Sequence, residues 1–168
     1  MNMIIRNERS SDIDAITDVT IAAFADCPHG DHTEQFVIQA LRTAGALSLS
    51  LVAEIDGSVV GHIAFSPVAI NGSECDWYGV GPVSVLPQYQ RQGIGSALMN
   101  EGLRLLTEAG AEGCVLVGDP NYYSRFGFRN CAELTLDGVP PEVFMALPLG
   151  HEIPSGEVVF HAAFTATA

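Results

Sequence analysis

The chain has 168 residues, 48% of them apolar, which predicts one folded domain over 1–168 rather than a disordered segment. Twenty acids against seven arginines, with no lysine, give a net charge of −13 that repels nucleic acid. No apolar run approaches the roughly 20 residues of a membrane span, and Arg6, Glu8, Arg9, Asp12 and Asp14 are unlike a signal peptide, so a cytoplasmic location is expected.

The pattern predicts a short first strand at Met3 to Arg6. Ser11 is placed to cap a helix carrying Asp14 in its first turn and Ile13, Ile16, Thr20, Ala23 and Phe24 at helical spacing. Asp26 to Asp31 breaks it. A second helix is expected from about His32 to Ala44, ended by Gly45. Cys27, His29 and His32 lack further nearby ligands, and the four cysteines have no paired spacing, so no metal is expected.

A meander follows. Leu49, Leu51 and Ala53 alternate with polar residues, as in a half-buried strand. Asp56-Gly57 and Asn71-Gly72 read as hairpin turns, because such turns need positive φ. Between and after them, Val59 to Ile70 and Ser73 to Val85 complete a three-stranded antiparallel sheet. Pro82 has no N–H for a ladder and marks a bulge or an edge.

That strand runs through Val83, Ser84 and Val85 into Leu86-Pro87-Gln88-Tyr89-Gln90-Arg91-Gln92-Gly93-Ile94-Gly95-Ser96, and then into a helix read from Ala97 to Ala109. A helix start leaves backbone N–H groups without acceptors and carries partial positive charge. Gly93 and Gly95 present no side chain to hold a large anion away. The stretch therefore reads as a pyrophosphate cradle, with Arg91 adding charge. A P-loop would need Lys-Ser or Lys-Thr after the second glycine, which also disfavours a simple nucleotide-binding protein. A dinucleotide fingerprint would need a small residue where Leu98 stands.

The helix shows Ile94, Leu98, Gly102, Leu105 and Ala109 on one stripe, and Gly110 stops it. Cys114 to Val117 reads as a buried parallel strand, joined by a right-handed crossover. Next comes Gly118-Asp119-Pro120-Asn121-Tyr122-Tyr123-Ser124-Arg125-Phe126-Gly127-Phe128. Asp119 suits a cap, Pro120 the first helical position, and Gly127 a helix end. After the Pro140-Pro141 loop, Val143 to Leu147 and Val158 to Phe164 read as an antiparallel pair closing the sheet on its far side.

Gln90-Arg91-Gln92-Gly93-Ile94-Gly95 resembles the acetyl-coenzyme A signature of the GNAT superfamily of N-acetyltransferases. Tyr122-Tyr123 with Arg125-Phe126-Gly127-Phe128 resembles its YhbS-like branch. The resemblance covers about Ile4 to Phe164. It implies an α/β (α+β mixed) fold: a mixed, mostly antiparallel sheet of about seven strands, splayed between the fourth and fifth and flanked by about four helices. It implies acetyl-CoA contacts from Val83, Ser84 and Val85, from Gln90, Arg91, Gln92, Gly93, Ile94, Gly95 and Ser96, and from Asn121 and Phe126. Tyr123 would protonate the departing thiolate. Backbone N–H groups near Val85 would polarise the thioester carbonyl.

The implied activity is acetyl transfer from acetyl-CoA to a primary amine on a small molecule, peptide or protein, by direct attack in a ternary complex. The alternative is a silent acetyl-CoA-binding sensor or scaffold. The acidic surface suits a cationic amine, although it also simply keeps the chain soluble. His29, Asp31, His32, Glu34 and Phe36 are candidates to wall the acceptor side, and His151 and His161 have no spacing argument. Glu74, Asp76, His62 and Ser84 lie on the strands near the cleft, and any of them, or solvent, can take the amine proton. A homodimer stays open.

Overall fold

The computed structural model describes residues 2–26, 32–150 and 152–168. Eight strands and four α-helices follow in chain order. They are β1 (Met3–Asn7), α1 (Ile13–Phe24), α2 (Glu34–Thr43), β2 (Leu49–Ile55), β3 (Ser58–Ile70), β4 (Ser73–Val85), α3 (Ile94–Glu108), β5 (Gly113–Val117), α4 (Pro120–Tyr123), β6 (Leu134–Thr135), β7 (Phe144–Pro148) and β8 (Gly156–Phe160). The sheet runs β1-β2-β3-β4-β5-β7, antiparallel except for the β4–β5 pair.

Both expected hairpins form. Asp56 and Gly57 have φ of 49° and 87°, and Asn71 and Gly72 have 52° and 76°. Positive φ at both central residues gives the turn a twist that matches the strands it joins.

Three local expectations shift. Ser11 does not cap α1. Residues Ser10–Asp12 wind into a 3-10 turn instead, and the Asp12 carboxylate accepts the Arg9 N–H at 2.7 Å. Arg6 holds that carboxylate at 2.7 and 3.1 Å and Glu54 at 2.9 Å, so the acid is fixed where the hydroxyl was expected to act. The second helix starts at Glu34, because His32 has φ 56°, outside the right-handed region. The helix after the cradle starts three residues early, at Ile94, with Gly93 as its left-handed cap.

The tail is the largest difference. β7 and β8 do not pair with each other. β7 lies antiparallel to β5, whereas β8 pairs with Val68–Ile70 of β3. The reason is an open edge. β2 reaches only as far as Leu49 opposite Phe65, which leaves the end of the 13-residue β3 without a partner on that side. β8 fills it, and the two-residue β6 pairs in parallel alongside β8. The expected strand to Phe164 stops at Phe160, where a 3-10 turn over Ala162–Thr165 takes over.

One face of the sheet carries α3, whose Ile94, Leu98, Met99, Gly102 and Leu106 are buried on Leu51, Ile63 and Phe65. The expected stripe is therefore rotated, with Met99 and Leu106 inside and Ala109 outside. The opposite face carries α1 and α2, with Ile16, Ile38 and Val52 in contact. A third cluster around Trp77, Val115, Phe144 and Val158 fills the far end.

Two features open the middle of the sheet. From Ile63↔Val83 to Phe65↔Val80, β3 advances two residues while β4 advances three, so β4 bulges at Gly81-Pro82. On its other side β4 pairs with β5 only at Trp77↔Gly113, Tyr78↔Cys114 and Gly79↔Val115. Beyond Gly79 the two strands part. Val80–Val85 stays with β3, and Leu116 and Val117 stay with β7.

Helix α3 can lie this close to the sheet because residue 102 has no Cβ. A methyl there would overlap the buried Phe65 ring. Alanine would gain about 1 kcal/mol of helix propensity, but overpacking of this kind costs about 1–3 kcal/mol. Gly102→Ala is therefore expected to lower stability in urea unfolding, and equal or higher stability would contradict the close packing.

Candidate functional site

A cleft of about 540 Å³ lies where β4 leaves β5, between the start of α3 and α4. Val83, Val85, Gln90, Arg91, Gly93, Ile94, Gly95, Ser96 and Tyr123 line it, all residues the sequence pointed to. The loop is bent by two left-handed residues, Arg91 at φ 64° and Gly93 at 87°. A left-handed arginine is a strained conformation, of the kind that gathers at ligand sites. Ala97 N–H is the first to bond back into the helix, to Gly93. The Gln90 side chain donates to the Val85 carbonyl at 3.0 Å and braces the loop on the strand end.

Charge separates this cleft from the rest of the molecule. In a chain of net charge −13, two of the seven arginines, Arg91 and Arg125, line it, and among the described residues no carboxylate does. Together with the helix start, that selects an anion.

Four other residues expected at the cofactor are not among those lining this cleft. Ser84 faces the opposite side of the sheet and is buried, its Oγ without a partner among the described residues. Gln92 is exposed and donates to the Gln88 carbonyl. Asn121 is exposed, its backbone N–H held by the Asp119 cap at 3.0 Å. Phe126 packs on Tyr122 at 5.5 Å.

Tyr89, Tyr122 and Arg125 line the cleft without having been singled out for it. The signal for Tyr122 was present in the Asp119-Pro120 helix start. Adjacent residues on a helix point about 100° apart, so two consecutive tyrosines serve two walls. Tyr122 turns toward α3, its hydroxyl 3.5 Å from Ser96 Oγ, with the Arg125 guanidinium 4.6 Å over its ring. Tyr123 packs against Gly118 at the end of β5, where a Cβ would overlap its ring. Burial first, then Tyr122 and Asp119, push the Tyr123 phenol above its ordinary pKa, so it holds its proton at neutral pH.

A second cleft, of about 390 Å³, opens on the α1/α2 side. It shares Val83 and Tyr123 with the first. Phe24, Val37, Val80, Pro82, Phe160 and Phe164 make it apolar, and Glu34 is the charged residue among its described lining.

Of the remaining candidates, His29, Asp31 and His151 lie outside the described residues, as does Cys27. His32 lines a smaller hollow with Ile21 and Phe24. Phe36 is half-buried and outside the second cleft. His161 Nδ1 accepts the Ala163 N–H at 3.0 Å. Glu74 is exposed beside the β3–β4 turn, and Asp76 lines a separate hollow with Trp77 and Glu112. Among the described residues no group of three or more His, Cys, Asp or Glu is placed to hold a metal, and no helix is long and apolar enough to cross a membrane. Burial pushes the Cys114 thiol up to about 12, leaving it inert at neutral pH.

His62 is fully buried, and its Nε2 lies 2.7 Å from Ser50 Oγ. Ser50 in turn lies 2.5 Å from Glu8, which also accepts two bonds from Arg42. Burial works against the Glu8 charge, but the bonds from Arg42 and Ser50 outweigh it, and its pKa falls below the ordinary value. With the Ser50 hydroxyl donating to the Glu8 carboxylate, its oxygen accepts from the Nε2–H of a neutral His62. A second proton would sit on Nδ1, which has no partner among the described residues. Burial holds the His62 pKa down to about 4.

Comparison with known proteins gives a consistent set of relatives. The model of an acetyltransferase (GNAT) domain matches residues 4–131. In sequence the chain is 44% identical over 100 residues to the uncharacterized N-acetyltransferase YhbS of Escherichia coli (strain K12), a match over 59% of this chain and 60% of that protein. The chain thus spans about 60% of the length of the curated relatives it first matches. Among solved structures, a GNAT family acetyltransferase from Brucella melitensis in complex with acetyl-CoA is 51% identical. It superposes with a TM-score of 0.88 over 97% of this chain and 98% of the other. Escherichia coli YhbS in complex with CoA is 33% identical, with a TM-score of 0.86 over 100% and 94% of the two chains.

The buried histidine makes stability depend on pH. Between its ordinary 6.5 and about 4, the unfolded chain binds a proton here that the folded chain refuses, so stability is complete above that window and falls on acidification. His62 is expected to remove about 2 kcal/mol between pH 7.5 and 5. Urea unfolding at both pH values should show this loss in the wild type and most of it gone in His62→Gln. Equal slopes would contradict a neutral buried imidazole.

Proposed function

Because the chain belongs to the GNAT family of acetyltransferases, we propose that it transfers the acetyl group of acetyl-CoA to a primary amine by direct attack within a ternary complex. The observation that carries this reading is the meeting of two clefts of opposite character at Tyr123 and Val83, where β4 and β5 have parted.

The cationic cleft is suited to the diphosphate of acetyl-CoA. Backbone N–H groups from Gly93 to Ser96 offer the donors, and Arg91 and Arg125 add charge. The binding of acetyl-CoA and CoA by the two close relatives supports the assignment. The unpaired edge of β4 from Val80 to Val85 offers backbone groups to the rest of the molecule, much as to an added strand. Holding thioester and amine on opposite sides of one opening makes the reaction effectively intramolecular.

In the chemical step the amine nitrogen bonds to the acetyl carbon and the carbon–sulfur bond breaks. Tyr123 gives its proton to the departing sulfur. A phenol is a weaker acid than a thiol, near ~10 against ~8.5, and burial widens that gap. The transfer is therefore completed as the phenolate retakes a proton from the attacking nitrogen. Tyr123 thus passes the amine's proton to sulfur and ends as it began.

Tyr123→Phe keeps the ring against Gly118 and removes only the proton. Loss of a general acid costs roughly 10²–10⁴ in rate. The expected result is a fall in kcat of about that size, with acetyl-CoA affinity by calorimetry unchanged. Unchanged kcat would remove Tyr123 from the mechanism. Acetyl-CoA binding without turnover of any amine would favour a sensor over an enzyme.

A further inference from the structure

Glu34 stands at the start of α2, in the wall of the second cleft. One of its carboxylate oxygens accepts the Thr33 N–H at 3.1 Å. The other, Oε1, is shielded from solvent and has no hydrogen-bond partner among the described residues. A buried carboxylate oxygen left unpaired is costly, and native structures seldom retain one without a use. Around it the wall is apolar: Phe24 and Val37 from the helices, Val80 from β4, and Phe160 and Phe164 from the tail. Phe160 and Phe164 are packed together with ring centroids 5.2 Å apart.

We infer that the acceptor is a small amine on an apolar, preferably aromatic, body, that Glu34 Oε1 pairs with its ammonium group as it enters, and that the ammonium gives one proton to solvent before the neutral nitrogen attacks. This rests on the transferase reading above and narrows its acceptor to one class. Three observations converge on that class. The charge of the lining selects a cation, in contrast to the arginines across Tyr123. The volume, about 390 Å³, lies at the low end of small-molecule sites and suits a compact ligand. The apolar walls offer one carboxylate among the described lining residues, so a polyamine would leave its other charges unpaired in an apolar cleft. The chain's acidity draws cations in general, but the cleft rewards a single charge on an apolar body.

The test uses the full chain with acetyl-CoA and follows coenzyme A release by chromatography. 2-Phenylethylamine, hexylamine, methylamine, spermidine and a lysine-containing peptide serve as acceptors. 2-Phenylethylamine and hexylamine are expected to exceed spermidine and the peptide in kcat/KM by about 10-fold or more, as loss of one good polar pairing does. Glu34→Gln should raise KM for 2-phenylethylamine by about 10-fold or more, with Glu34→Asp restoring part of it and acetyl-CoA affinity unchanged. Phe24→Ala should raise KM for 2-phenylethylamine more than for methylamine, which keeps the test open if the Glu34 variants lose acetyl-CoA binding through misfolding. A preference for spermidine or the peptide would overturn the inference and leave the transferase reading intact. So would unchanged KM in Glu34→Gln. If acetyl-CoA binds and no amine turns over, the transferase reading fails and this inference fails with it.

Discussion

Everything at the site depends on β4 and β5 separating after three residue pairs. A sheet that stayed zipped would satisfy the backbone groups of Val80–Val85 and leave no opening. The separation follows from the bulge at Gly81-Pro82, which adds a residue to β4 and puts a proline where a ladder donor would stand. The two strands keep their other partners, β3 and β7, so the sheet holds on either side of the gap. Opening the middle of a sheet is stable here because both halves remain anchored.

The gap joins two faces that differ in charge. On the α3 side, two arginines and a helix start dominate in a chain otherwise strongly acidic. On the α1/α2 side, one carboxylate among the described residues lies in a lining of aromatic and aliphatic side chains. Tyr123 belongs to both, and its position depends on a glycine at 118, which admits the ring against the strand end. A single phenol is thereby placed between the two clefts.

The α1/α2 face is held by polar anchors as well as by packing. Arg42 on α2 grips Glu8, which reaches Ser50 and through it His62 at the centre of the sheet. Arg6 joins Asp12 at the entrance of α1 to Glu54 on β2. These half-buried ion pairs tie the start of α1 and the last turn of α2 to the first strands. His62, on a strand near the gap, belongs to this anchoring network through Ser50.

The order of the first five strands, both hairpin turns, the cradle and the tyrosine after β5 were all legible in the residues. Each is written locally: Asp-Gly and Asn-Gly turns need positive φ, Pro82 lacks a donor, and glycines clear the start of a helix. The side of the sheet each residue faces was harder. Ser84 falls opposite its neighbours because side chains alternate, and a bulge two residues earlier resets which alternation reaches the cleft. Only the tertiary structure decided where the tail strands go, since β8 answers an edge that exists because β2 stops short of the end of β3. It also decided that Tyr122 and Arg125 line the cationic cleft and Glu34 the other. The local rules determine which segments become strand, helix or turn, because they act over a few neighbouring residues. Which faces come to meet across the gap depends on contacts between residues far apart in sequence, and no local pattern encodes those.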